Sequence, residues 1–90
     1  MESVATGYTL TDYIEVNACT SITWLNANLN GASRLCEFDE NKNFIDYWSP
    51  NSNPRTITLT GGANTKYIRF SMPTNQVDNV YLIDNTNKTY

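Results

Sequence analysis

No stretch of this chain repeats apolar residues at i, i+3, i+4 and i+7 over the length of a helix; the pattern that recurs has a period of two. In "TSITWLN" (20–26) Ile22 and Trp24 share one face while Thr23 and Leu25 share the other. "RTITLTG" (55–61) turns Ile57 and Leu59 the same way, and "KYIRFSM" (66–72) does so with Ile68 and Phe70. "YIEVN" (13–17), "SRLCEFD" (33–39), "NFIDYW" (43–48) and "DNVYLID" (78–84) complete the set. Between them lie turn formers: "NANLNGAS", "DENK", "SPNSNP" and "GGAN". Short strands separated by such turns imply an all-β antiparallel sandwich or barrel, and a β-sandwich of about seven or eight strands is expected. The expected core is Ile14, Ile22, Trp24, Cys36, Phe38, Ile57, Leu59, Ile68, Phe70 and Val80.

Ninety residues make one domain, 1–90, read as one module of a longer protein with a polar tail at 85–90. A domain of this size buries only about 60–65% of the surface its unfolded chain exposes, so the core is thin. "MESVATGYTL" has no basic n-region and no apolar h-region, so it is not read as a signal peptide. No apolar run approaches the ~20 residues of a membrane helix, and membrane insertion is not expected. Net charge is −3, and the six basic residues are scattered along the chain. No basic stripe is present to neutralise a phosphate backbone, which argues against a nucleic-acid partner.

Side-chain chemistry argues against an enzyme. The chain has no histidine, so neither a Ser-His-Asp nor a Cys-His site can form. Asp39, Glu40 and Asp46 are close in sequence, but "DENKN" is first of all a hairpin turn, with Asp39 capping it through its own carboxylate. The same turn lacks the ligand spacing and glycine of an EF-hand, and Lys42 sits badly beside a cation; no cofactor is expected and a structural calcium is disfavoured. Cys19 falls in a turn and Cys36 in a strand, and both are expected as free thiols.

"DYIEVNACTSITW", "RLCEFDENKNFID" and "TKYIRFSMPTNQVDNVYLID" together resemble a small jelly-roll module of bacteriophage and prophage tail and fibre proteins, similar to carbohydrate-binding modules. The resemblance runs from Asp12 to Asp84. It implies an antiparallel two-sheet β-sandwich of jelly-roll type in a virion protein assembled in the bacterial cytoplasm, whose partners are bacterial surface glycan and other subunits of the particle, with a homotrimer as one assembly. Two positions depart from the family pattern: "NAC" (17–19) replaces a proline-glycine turn, and Glu37 stands where an aromatic is common. Within this family such modules either recognise host carbohydrate or serve as structural spacers and assembly elements.

Sugar recognition uses aromatic faces together with a few placed polar groups. Trp48 ends a strand, follows Tyr47 and leads into the proline-bracketed loop. Two readings stand side by side for it: a platform stacked on sugar, or a lid over the open end of the sandwich. Tyr67 and Arg69 are two apart and share the face opposite Ile68 and Phe70; Arg34 joins them if its strand is their neighbour. The plainer reading of these charges is a surface ion pair from Arg69 or Arg34 to Glu37. Asn51 and the other loop amides (Asn28, Asn30, Asn53 and Asn75) suit sugar hydroxyls and ordinary turns equally. The candidate ligand site is thus Trp48, Tyr47, Tyr67, Arg69, Arg34 and Asn51, with no catalytic residue.

Overall fold

The computed structural model describes residues 6–16, 19–26 and 33–90. Among these residues eight strands form two antiparallel sheets. β1 (Tyr8–Leu10), β2 (Ile14–Glu15), β4 (Leu35–Phe38), β5 (Phe44–Trp48) and β7 (Tyr67–Pro73) make the larger sheet, in the order β1-β7-β4-β5. β2 shares the outer edge of β7 with β1. β6 (Arg55–Thr58), β3 (Ser21–Leu25) and β8 (Tyr81–Asp84) make the smaller sheet in that order. β1 falls in a stretch with no strand pattern of its own, and it is fixed by pairing Tyr8 to Pro73 and Leu10 to Ser71.

The core lies between the sheets. Ile22, Trp24, Ile57 and Leu82 face it from the smaller sheet, and Leu35, Ile68, Phe70 and Met72 from the larger. The Trp24 and Phe70 rings meet edge-to-face at 6.3 Å between centroids, closing the two layers on each other. Fully burying an aliphatic or aromatic side chain contributes roughly 1.5–3 kcal/mol, so this small set carries most of the hydrophobic stabilisation.

Three expectations for the core change. Cys36 and Phe38 are buried but face away from the core cluster, because alternation along β4 sends Leu35 and Glu37 inward instead. Ile14 is only half-buried at the edge on β2. Cys19, assigned to a turn, is completely buried in the cluster. Neither cysteine is in a disulfide.

The residues after β8 are tied back to that strand. Thr89 bridges Ile83, and the Tyr90 hydroxyl donates to Asp84 Oδ2 at 2.7 Å while its ring packs on the core. Asp84 Oδ1 also accepts from the Thr86 hydroxyl and from the backbone N–H groups of Thr86 and Lys88. Burial pushes the Asp84 carboxyl upward, but these four donors outweigh it and hold it down at about 2.

Candidate functional site

The register of three strands builds one side-chain face. β4 lies between β5 and β7, so Tyr47, Cys36 and Arg69 form one row across the sheet, and Phe44, Phe38 and Tyr67 form the next. Both rows point away from the core. Tyr13, just before β2, lies across them, its ring edge-to-face with Phe38 at 5.0 Å and with Tyr67 at 6.1 Å. Phe38 meets Phe44 the same way at 6.1 Å. Phe44 and Tyr47 remain 53% and 55% exposed, which is high for large apolar side chains on a sheet.

Two cations sit on this aromatic layer. The Arg69 guanidinium lies 4.8 Å from the Tyr13 centroid, and its Nε donates to the Thr11 carbonyl at 3.0 Å. Lys42 Nζ stands 4.9 Å from the Tyr13 centroid and 5.4 Å from that of Tyr67. Arg34 precedes inward-facing Leu35 and continues the outer face; its N–H donates to Ser71 Oγ, its carbonyl accepts from the Ser71 N–H, and its Nη1 donates to Ser33 O at 2.7 Å.

The hairpin between β4 and β5 carries Lys42 to that position. Asp39 Oδ1 accepts from the backbone N–H groups of Asn41 and Asn43, both at 2.9 Å, as the turn chemistry of "DENK" implied. The Asn43 N–H, with Asn41 and the Asn43 amide, holds the Asp39 carboxyl below its usual range. A polar cleft of about 280 Å³ opens beside the tip, lined by Asp39, Glu40, Asn41, Asn64 and Lys66.

Four of the six residues singled out in the sequence therefore share one face: Tyr47, Tyr67, Arg69 and Arg34. Trp48 does not. It is in register with Leu35 on the core side, and its indole N–H donates to Glu37 Oε2 at 2.6 Å. Its ring packs on the core cluster with the Arg55 guanidinium 5.7 Å from its centroid, which is the lid position. Asn51 is exposed in the 49–54 loop that crosses from β5 to β6. Asn53 accepts the backbone N–H of Asn26; Asn28 and Asn30 lie outside the described residues.

Glu37 also departs from the sequence reading. It is fully buried on the core side of β4, the opposite face from Arg69, so no surface ion pair joins them. Its carboxylate is held by four neutral donors. Trp48 Nε1 and the Thr60 N–H reach Oε2; the Gly61 N–H and the Thr65 hydroxyl reach Oε1, at 3.0 and 2.8 Å. A buried charge is tolerable only when hydrogen-bonded in this way.

Tyr13, Phe44 and Lys42 are not among the six candidates that the sequence singles out. Phe44 and Tyr47 are an i, i+3 pair, which strict alternation would send to opposite faces. Comparison of the chain with family models, with curated proteins and with solved structures gives no match.

Proposed function

We propose that this domain is a non-catalytic carbohydrate-binding module of a phage or prophage tail or fibre protein, and that it takes host-surface glycan on the outer face of the larger sheet. The observation that carries the proposal is the exposure of Phe44 and Tyr47 in adjacent rows of a face backed by Tyr13, Phe38 and Tyr67. Flat aromatic groups on a rigid sheet suit the apolar side of a pyranose, and nearby guanidinium and ammonium groups suit its hydroxyls. The resemblance of the quoted stretches to the phage jelly-roll module supports the same reading, as does a sequence without histidine. Trp48 then acts as a lid that clamps Glu37, and the platform passes to Tyr47 and Phe44.

One observation favours a second reading, an assembly or spacer element. β5 ends the larger sheet's strand order, so its outer edge has no partner strand among the described residues. Such an edge invites a neighbouring subunit in a homotrimer or a fibre. A glycan array separates the two. Binding by the wild type that is lost in a Phe44→Ala/Tyr47→Ala variant with unchanged circular dichroism supports the module. An empty array together with a trimer in light scattering supports assembly.

A further inference from the structure

In the β4–β5 loop the Asp39 N–H donates to the Asn43 carbonyl and the Asp39 carbonyl accepts from the Lys42 N–H; its third residue is a lysine in the left-handed region, Lys42 with φ 63°. In hairpin loops that end on a left-handed residue, glycine or asparagine usually occupies that place, because a Cβ there is strained. Lysine adds nothing to the turn itself. Backbone strain held by the surroundings concentrates at functional sites. Here the strained residue delivers an ammonium group onto the rings of Tyr13 and Tyr67, while the residue as a whole stays exposed.

The charge distribution points the same way. The chain is net −3, yet three of its six basic side chains, Arg34, Lys42 and Arg69, stand on this one face. Glu15, in register with Tyr67 on β2, faces them from the edge, and Asp39 and Glu40 share the loop of Lys42. Stacking alone would need no cations on the rings, and the two that lie on them, Lys42 and Arg69, stabilise the fold only slightly through exposed cation–π pairs. Ammonium and guanidinium groups bordering aromatic faces are what a carboxylated sugar requires: ring stacking for the pyranose, charge-assisted hydrogen bonds for the carboxylate.

Resting on the carbohydrate reading above, we infer that the face is selective for acidic, uronate-type polysaccharide, and that Lys42 is its selectivity residue. Affinity electrophoresis tests this with gels containing polygalacturonate or hyaluronate, against gels containing dextran or mannan. The wild type is retarded by the acidic polymers only, although it is itself acidic, and added salt weakens the retardation. Lys42→Gly and Lys42→Gln bind about tenfold more weakly, the loss of one charge-assisted contact. Lys42→Arg keeps the binding. The thermal midpoint of Lys42→Gly does not fall, because glycine accepts the left-handed backbone. Retardation by dextran or mannan that the Lys42 variants leave unchanged overturns the acidic selectivity and leaves the carbohydrate reading intact. Acidic binding indifferent to Lys42 overturns its role. Retardation by none of the four polymers overturns both.

Discussion

Replacing Glu37 with Gln changes one oxygen to an NH2 group at almost constant volume, in a site built wholly from donors. Trp48 Nε1 and the Thr60 N–H meet one oxygen; the Gly61 N–H and the Thr65 hydroxyl meet the other. Whichever way the amide turns, its NH2 faces two of them. The better choice opposes Gly61 and Thr65, because the Thr65 hydroxyl can rotate to accept; the Gly61 N–H is then left without a partner. An orphaned buried donor costs about 1–3 kcal/mol, and the remaining bonds fall from charge-assisted to neutral strength. Easier desolvation of the amide offsets part of this. The net loss is about 2–4 kcal/mol, out of roughly 5–14 kcal/mol for a domain of this length. In thermal terms that is a midpoint lower by about 10–25 °C. Urea unfolding followed by the fluorescence of Trp24 and Trp48 measures it. Trp48→Phe, which removes one of the four donors, should couple to Glu37→Gln by about 0.5–3 kcal/mol in a double-mutant cycle. A Glu37→Gln variant within about 0.5 kcal/mol of wild type, the range of an ordinary surface change, would refute the clamp.

Three further outcomes follow from the geometry. Asp84 is held at about 2 against an ordinary 3.8, so its contribution is complete above 3.8 and is lost as pH falls toward 2. Asp84→Asn should therefore be less stable at neutral pH and lose stability less steeply across that acid window, which acid titration of the unfolding midpoint reads. Gly61→Ala places a Cβ 2.5 Å from Thr65 Oγ1 and 2.8 Å from Ile45 Cδ1, displacing a Glu37 donor; a loss of about 1–3 kcal/mol in urea is expected, as for overpacking elsewhere. Cys19 and Cys36 are buried, and burial pushes both thiols up, so Ellman's reagent should react slowly with the native protein and count two thiols in denaturant; rapid native reaction or a count of zero would contradict this.

Period-two alternation makes seven of the eight strands legible, along with the pairing of Tyr67 with Arg69 on one face. What alternation cannot give is its own phase when a bulge intervenes. The β4–β5 register shifts between Glu37 and Phe38: Glu37 faces Asp46 while Phe38 faces Phe44, which leaves Ile45 as the extra residue. Counting by twos from Phe44 puts Trp48 on the same side, but the inserted residue reverses the phase and turns Trp48 inward. That single residue decides between platform and lid, and no local composition announces it. "LCEF" is equally silent, since all four of its side chains are buried whichever face they take. The donors that make Glu37 acceptable inside come from Thr60, Gly61 and Thr65, more than twenty residues away, and only the fold brings them to it. Tyr90 is hidden for a similar reason: a polar-looking end becomes structural once Asp84 is buried and needs donors.

On the proposed reading, ligand is taken on the outer face of the larger sheet and not at the loop end beside Trp48. Amide chemical-shift mapping on 15N-labelled protein, titrated with a glycan that the array or the acidic gels select, tests it directly. Shifts concentrated at Lys42, Phe44, Tyr47, Tyr67 and Arg69, with the 49–54 loop unmoved, are the expected result. Shifts confined to Trp48 and residues 49–54, with Phe44 and Tyr67 unmoved, would contradict it.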